Sequence, residues 1–222
     1  NYYFNYASSS TTACSNNYRC VCRMLGHITV TGTLEINGTK TNMTDLFVIT
    51  AAANKRHFYI DNANAKLTVR YIKLTGGDLS NVPDCGNSCS DRVGGSILIY
   101  TSGGELNLHS SVVSNNKAYA GGAIYAGTNS NNVIVNINGC FINSNIATNG
   151  GGGFAIYKAV ANIRNSTFDN NNGGSGVDRG GGAMWIRYSA VVLNNIIVSN
   201  NDAVHIGGGI TIVGGGQGTS NV

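Results

Sequence analysis

The tetrapeptide Gly121-Gly122-Ala123-Ile124 decides the fold, because close variants of it recur along the chain. Each copy is a glycine pair followed by a small residue and then an apolar one. The other copies are Gly94-Gly95-Ser96-Ile97, Gly151-Gly152-Gly153-Phe154, Gly181-Gly182-Ala183-Met184 and Gly207-Gly208-Gly209-Ile210. Successive copies start 27, 30, 30 and 26 residues apart. A period in this range indicates a repeat architecture.

A second marker has nearly the same period. It consists of an apolar residue, two spacers and then Asn or Ser. The copies are Val113 to Asn116, Phe141 to Ser144, Phe168 to Asn171 and Ile197 to Asn200. Their last positions are 28, 27 and 29 residues apart, so two independent markers give the same period.

A short segment of alternating apolar residues precedes each second marker. These segments are Leu106-Asn107-Leu108, Val135-Asn136-Ile137, Ala161-Asn162-Ile163 and Ala190-Val191-Val192, with earlier counterparts at Leu34-Glu35-Ile36 and Leu67-Thr68-Val69. Apolar residues two positions apart point to one face of a β-strand, and the residue between them points to the other. Each repeat therefore contains half-buried strands separated by Gly and Asn corners.

The repeat predicts an all-β, single-stranded, right-handed parallel β-helix of about seven or eight coils with about 28 residues per coil. A propeller blade needs about 40 residues or more, and ankyrin or leucine-rich repeats would show a helical period of apolar residues that is absent here. Residues 1–24 carry no marker and are predicted to form an N-terminal cap or arm. Residues 25–222 are assigned to the β-helix, with residues 78–93 as a lateral loop.

The combination of the two markers resembles the repeats of polymorphic outer-membrane proteins, within the pectin-lyase-like β-helix superfamily. Gly121-Gly122-Ala123-Ile124 and Phe168-Asp169-Asn170-Asn171 match both halves of that pattern, whereas Ser96 and Ser144 depart from it. The resemblance covers roughly residues 94–212. It implies a β-helix found in adhesins and surface proteins, in a superfamily that also contains polysaccharide lyases and hydrolases.

Composition narrows the class of protein. The chain has 222 residues with 31 Gly, 32 Asn and a single proline, Pro83. Charged residues make up 11%, which excludes a coiled coil or a charged disordered tail, and one proline excludes collagen. The net charge of +4 comes without a basic run, so no nucleic-acid partner is expected. The longest apolar runs are too short for a transmembrane segment.

Sequons and cysteines favour a secreted or cell-surface glycoprotein. Asn37, Asn42 and Asn165 each begin an N-x-[ST] sequon, and the chain begins at Asn1 without a leader, as in a processed protein. Cys85 and Cys89 are predicted to form a disulfide, as are two of the three cysteines Cys14, Cys20 and Cys22. Cys140 is left as a buried free thiol, predicted to stack with Thr167.

No catalytic, metal or cofactor site is predicted. The acids of the lateral loop and of the later corners do not pair closely; they are Asp78, Asp84, Asp91, Asp169, Asp178 and Asp202. The histidines are far apart and are predicted at turns or on the surface; they are His27, His57, His109 and His205. A lyase would need a basic strip, for which the candidates are Arg70, Lys73, Arg164 and Arg187.

Aromatic residues follow the glycine markers and provide a candidate strip for binding a glycan or a protein partner. They are Tyr100, Tyr125, Tyr157, Trp185 and Tyr188. Aromatic residues that stack from coil to coil on the outer surface offer flat apolar area, whereas inward-pointing ones belong to the core.

Taken together, these features favour a non-catalytic structural glycoprotein, a subunit of an extracellular filament, appendage or wall layer that assembles through its coil ends. An adhesin or glycan-binding module is the alternative, and a polysaccharide lyase or hydrolase is the third.

Overall fold

A computed structural model of the chain describes residues 21–39, 42–83, 90–128, 132–175 and 180–214. These residues form a parallel β-helix of about six turns with about 30 residues per turn, which confirms the predicted fold class. The turns are fewer and longer than predicted. One reason is the stretch that includes the lateral loop, where paired residues in successive coils lie 39 apart in sequence.

Each coil contributes one strand to each of three long parallel sheets. Sheet 1 consists of β1 (Val21–Arg23), β4 (Phe47–Thr50), β7 (Ile72–Thr75), β10 (Val112–Ser114), β14 (Phe141–Asn143), β18 (Thr167–Asp169) and β21 (Ile197–Ser199). Sheet 2 consists of β2 (Ile28–Val30), β5 (Phe58–Ile60), β8 (Ile97–Ile99), β12 (Ile124–Gly127), β16 (Phe154–Tyr157), β19 (Met184–Arg187) and β22 (Ile210–Val213). The third long sheet, sheet 3, has six strands within the described residues.

Sheet 3 consists of β3 (Thr33–Asn37), β6 (Lys66–Arg70), β9 (Glu105–His109), β13 (Val133–Asn138), β17 (Ala159–Arg164) and β20 (Ala190–Asn194). A small sheet 4, made of β11 (Lys117–Ala120) and β15 (Ile146–Gly150), lies between sheets 1 and 2 along the chain. Residues 90–92 form a short 3-10 helix. Residues 21–23, assigned to the N-terminal segment from the sequence, form β1 and pair with β4, while residues 1–20 lie outside the described ranges.

The core is a column of apolar side chains inside the coils. Because all strands are parallel and in register, equivalent residues stack on one another. In sheet 3, for example, one inward column contains Leu67, Leu106, Val135 and Ala161, all fully buried. In this sheet the last pairing differs from the sequence-based alignment by one residue. Val191, not Ala190, lies opposite Ala161 and is buried.

The glycine pair is required by the close approach of successive coils. The first glycine of the pair, as in Gly121 with φ of 61°, adopts a left-handed backbone that side chains disfavour. The second glycine has no room for a side chain. A Cβ on Gly122 would lie 2.3 Å from the carbonyl oxygen of Gly152 in the next coil. The repeat therefore marks the corner where coils pack backbone to backbone.

A ladder of four asparagines, the first three of them buried, connects the later coils. Its members are Asn116, Asn145, Asn171 and Asn201. The backbone N–H and the side-chain Nδ2 of each of the first three donate to the Oδ1 of the next, at 2.9–3.1 Å. The side-chain amides thus continue the hydrogen bonding of the sheets through a corner that lacks strand pairing.

The register of this ladder shows that two copies of the second marker were aligned one residue too early. The sequence-based alignment placed Ser144 and Asn200 in the repeated position, but the register places Asn145 and Asn201 there. Ser144 and Asn200 are the corner residues just before the ladder, with φ of 55° and 52°. Asn tolerates this left-handed conformation better than most residues, which is why the corner position also holds asparagine, as at Asn115 and Asn170.

Replacing Asn145 by Leu tests the ladder. Asn145 is fully buried, and its loss leaves the backbone N–H and the side-chain Nδ2 of the buried Asn116 without their acceptor. We expect the free energy of unfolding, measured in urea, to fall by about 3–5 kcal/mol.

Asn136→Leu is the matched control, because Asn136 belongs to a partly exposed amide ladder with Asn107 and Asn162 on the outer face of sheet 3. We expect this variant to lose less than about 1 kcal/mol. Equal losses in the two variants would contradict a special role for the buried ladder.

His57 was predicted at a turn or on the surface, but it is fully buried. Its Nε2 lies 3.1 Å from the carbonyl oxygens of Ile49 and Thr75, which can only accept, so Nε2 carries the proton. The hydroxyl of Ser96 therefore donates to Nδ1 at 3.0 Å. Burial lowers the pKa of His57 from 6.5 to about 4, so the ring is neutral at pH 7.

This burial predicts a pH-dependent stability. The folded-state pKa lies below the unfolded value, so the contribution is complete above about pH 6.5 and is lost as the pH falls towards 4. The total loss is about 3 kcal/mol. The measurement is urea unfolding across this range for the natural chain and for His57→Gln. The difference between the two proteins should change with pH, and a constant difference would contradict the prediction.

Candidate functional site

The outer face of sheet 2 brings the predicted aromatic residues together. Strand alternation sends one set of side chains into the core and the other outward. The outward set forms a second apolar cluster, separate from the core, with a first column that contains Tyr59, Leu98, Tyr125, Ala155 and Trp185. A second column, two residues further along each strand, contains Tyr100, Gly127, Tyr157 and Arg187. We call this surface the aromatic face.

The accessible part of the aromatic face begins at Tyr100 and Tyr125. Tyr100 is 41% exposed and Tyr125 is partly buried. Their ring centroids are 6.5 Å apart and the rings are tilted by 40°. Gly127 follows Tyr100 in the second column, and a Cβ there would lie 2.6 Å from the carbonyl oxygen of Tyr157. Gly127 is buried, so the backbones of these two coils are in close contact and no side chain stands between Tyr100 and Tyr157 in this column.

Two cations surround Tyr157 further along the same face. The guanidinium carbon of Arg187 lies 5.9 Å from the centroid of Tyr157 and 4.8 Å from that of Tyr188. The Nζ of Lys158 lies 5.4 Å from the centroid of Tyr157. Lys158 and Tyr188 occupy left-handed corners, each with φ of 49°, which direct them to this edge of the sheet. This cation cluster consists of Tyr157, Lys158, Arg187 and Tyr188.

Trp185 belongs to the face but does not offer a free ring. It is only 4% exposed, and it packs in the outer cluster with Ala155. The predicted strip is therefore divided into a buried tryptophan and four tyrosines that are at least partly accessible.

The opposite end of the aromatic face, near Tyr59, is covered by the described residues 90–93 of the lateral loop. Arg56 is 4% exposed, and its Nη2 donates to the carbonyl oxygens of Ser90 and Asp91 at 2.8 Å. Burial lowers the pKa of Arg56 to about 10, so it remains charged at neutral pH. Arg56 also lies 5.6 Å from the ring of Tyr59, whose pKa burial raises to about 12. This end is therefore closed by the solenoid's own residues.

A further aromatic contact lies at the edge formed by sheet 4. Arg92 stands 5.0 Å above the ring of Tyr119, and Asn149 donates to the hydroxyl of Tyr119. Tyr59, Tyr119 and Lys158 were not among the residues predicted from the sequence. Aligning Phe58-Tyr59-Ile60 with Ile97-Leu98-Ile99 would have found Tyr59, whereas Tyr119 and Lys158 lie at corners that the repeat does not mark.

The candidate basic strip does not form. Arg70 and Arg164 lie in one outward column of sheet 3, Lys73 is on sheet 1, and Arg187 is on sheet 2. Arg70 pairs with Glu35.

The acids are equally dispersed. Glu105 pairs with Lys66 at 2.9 Å, and Asp169, at the end of β18, accepts hydrogen bonds from Ser199 and Asn200. Asp78 lies at the start of the lateral loop, where its backbone forms an isolated β-bridge with Lys117, and the backbone of Asp202 forms one with Asn172. Asp84 and Asp178 lie outside the described residues. In the parts of the chain that the structure describes, no three His, Cys, Asp or Glu side chains converge as metal ligands.

The three sequons have different surroundings. Asn37 is exposed, at the end of β3, and its amide donates to Glu35. Asn42 is exposed, and its Oδ1 accepts hydrogen bonds from the N–H and hydroxyl of Thr44. The side-chain amide of Asn165 lies in a ladder between Asn138 and Asn195. A glycan on Asn165 would break that ladder, so Asn37 and Asn42 are the more suitable acceptors.

Most of the predicted disulfides lie outside the description. Cys14, Cys20, Cys85 and Cys89 belong to residues that the structure does not describe, and only the backbone of Cys22 is described. Cys140 is a buried free thiol, as predicted. Its predicted stacking partner was wrong by one residue, because Thr167 pairs with Phe141, and the N–H of Cys140 donates to the hydroxyl of Ser166 at 3.1 Å. Among the described residues, no helix is long and apolar enough to cross a membrane.

Comparison with known families, curated proteins and solved structures found no match. The β-helix that the resemblance to outer-membrane repeats implies is present, whereas none of these comparisons supports the family itself.

Cys140 should resist alkylation in the folded protein. Burial raises its pKa to about 12, so the reactive thiolate is scarce, and the thiol is enclosed. With iodoacetamide at about pH 8, peptide mass mapping should show Cys140 unmodified in the native chain and modified in denaturant. Rapid labelling of native Cys140 would show that the coil opens there.

Proposed function

We propose that this chain is a non-catalytic, extracellular β-solenoid that binds carbohydrate through the aromatic face. The observation that carries the proposal is the position of Tyr100 and Tyr125, two neighbouring and accessible rings on a rigid parallel sheet. Tyrosine rings offer a flat apolar surface with a polar edge, which suits the apolar faces and hydroxyl groups of sugars. Rings fixed on strands lose little conformational entropy when a ligand binds.

The electrostatics of the described residues favour binding over hydrolysis or elimination. Glycoside hydrolysis uses two carboxyl groups on opposite sides of the scissile bond. Near the aromatic face, the described acids are Asp61, which accepts a hydrogen bond from Tyr59, and Asp91, whose carbonyl binds Arg56. Asp61 is exposed and lies one coil before Tyr100, because it follows Ile60, the partner of Ile99. Both acids are on the Tyr59 side of Tyr100 and Tyr125, so they do not face each other across a sugar bound there. The sequons and the resemblance to surface-protein repeats support an extracellular location.

The test is a titration of neutral oligosaccharides against the intact chain, with a double variant, Tyr100→Ala/Tyr125→Ala. We expect the variant to bind at least about tenfold more weakly, because the stacking surface is lost. Phe141→Ala is the control, since Phe141 is 45% exposed on the outer face of sheet 1. No binding by the natural chain, or equal loss in variant and control, would contradict the proposal.

A second candidate function is assembly through coil ends into a filament or wall layer. It is favoured by the exposed apolar side chains of the coil that contains β20 to β22. Ile212 occupies an inward column, but it is 46% exposed, whereas its neighbour Ile186 in the preceding coil is fully buried. Leu193 and Val198 in the same coil are only partly buried, whereas their inward neighbours Ile163 and Phe168 in the preceding coil are fully buried. An apolar end of this kind suits contact with a second copy.

The shapes of the described coils bear on how copies would meet. Four residues connect β1 to β2, whereas ten connect β21 to β22, so the first and last described coils differ in outline.

Sedimentation velocity over a range of concentrations tests assembly through coil ends, with Ile212→Lys as the variant and Ile134→Lys, on the side of sheet 3, as the control. Filaments indicate head-to-tail stacking, and dimers indicate contact between like ends. A monomer at high concentration would contradict assembly.

A further inference from the structure

The cation cluster adds a charged part to the aromatic face. Arg187 and Lys158 both lie within 6 Å of the ring of Tyr157, so two positive charges meet on one aromatic residue. Within the described ranges, no carboxylate forms an ion pair with either cation. Two neighbouring cations repel each other, and an anion between them removes that repulsion.

The hydrogen-bonding groups of the cluster are mostly donors. The Nη2 of Arg187 donates to the hydroxyl of Tyr188 at 3.3 Å, which leaves the hydroxyl proton of Tyr188 free to point elsewhere. The Nε of Arg187 is buried and has no acceptor among the described residues, so the accessible donors of this guanidinium are its Nη groups. Lys158 contributes three further donors. A ligand that complements this cluster must bring acceptors and negative charge.

The register gives the distance between the neutral and the charged parts of the face. Tyr100, Gly127, Tyr157 and Arg187 occupy successive coils of one column. Neighbouring strands lie about 4.8 Å apart, so Tyr100 and Arg187 are separated by about 14 Å along the solenoid axis. A single sugar cannot contact both ends, and an extended oligosaccharide is needed.

We propose that the aromatic face binds an extended anionic oligosaccharide that runs parallel to the solenoid axis. One sugar ring stacks on Tyr100 and Tyr125, the oligosaccharide continues past Gly127, which carries no side chain, and a sulfate or carboxylate group lies against Arg187 and Lys158. Hydrogen bonds between charged groups are stronger than neutral ones, so the anionic group provides much of the affinity. This inference rests on the proposed carbohydrate binding and names its ligand class.

Calorimetric titration of the intact chain tests the inference with three sets of probes of matched length: unsulfated dextran oligomers, sulfated dextran oligomers and oligogalacturonates. We expect the sulfated or the carboxylated set to bind at least about tenfold more tightly than the neutral set. The better of the two identifies the group that the cluster recognises. Affinity should rise with length until the oligomer spans about 14 Å, and it should fall with added salt.

The variants are Lys158→Gln and the double variant Lys158→Gln/Arg187→Gln, with Arg164→Gln as the matched control, because Arg164 is exposed on sheet 3. We expect a loss of about tenfold for each cation removed and no loss in the control. Thermal unfolding of each variant verifies that it folds, and Lys158→Gln alone carries the test if the double variant does not.

The outcomes separate the two proposals. Equal affinity for neutral and anionic probes, with loss only in Tyr100→Ala/Tyr125→Ala, overturns the anionic ligand and leaves carbohydrate binding in place. Tighter binding of anionic probes that Arg164→Gln weakens as much as Lys158→Gln also overturns it, since the attraction is then general to the surface charge. Absence of binding to all three sets of probes overturns both.

Discussion

The hydrogen bond from each coil to the next is the constraint on which the rest of the structure depends. Every strand pairs with its equivalent one repeat later, and the buried asparagine ladder continues the pairing through a corner where no strand lies. An amide side chain both donates and accepts, so Asn145 satisfies the coil on either side of it. The glycine pair allows this approach, because any side chain at Gly122 would separate the backbones. A solenoid built this way has little freedom in its register.

That fixed register is what gives the outer surface its order. Residues one repeat apart must lie about 4.8 Å apart on the same face, whatever their chemistry. Tyr100, Tyr157 and Arg187 are far apart in sequence, yet they fall in a single column on sheet 2. Similar columns on sheet 3 hold asparagines or isolated charges instead. The fold therefore provides several flat faces, and their side chains decide which of them can bind a ligand.

The fold was predictable from the sequence because two markers repeat with nearly the same period. The exact position of a residue within each repeat was harder to predict. Two spacing rules gave the β-helix, but the marker was displaced by one residue at Ser144 and Asn200, since both corner positions favour Asn or Ser and only pairing distinguishes them. His57 looked like a surface residue because the charge of histidine suggests exposure, and its burial depends on two carbonyls and Ser96 from other parts of the chain. The tyrosines were predicted as a strip, but the burial of Trp185 and the approach of Lys158 to Tyr157 are properties of packing.

Hydrogen exchange resolved by residue tests the central claim, that buried amides fix the register of the coils. The backbone N–H groups of Asn116, Asn145 and Asn171 each donate to the side chain of the following asparagine. Although they lie at corners outside the strands, they should exchange as slowly as the amides of the central strands of sheet 1. Fast exchange at these three residues, with slow exchange in the neighbouring strands, would show that the ladder does not hold the coils together.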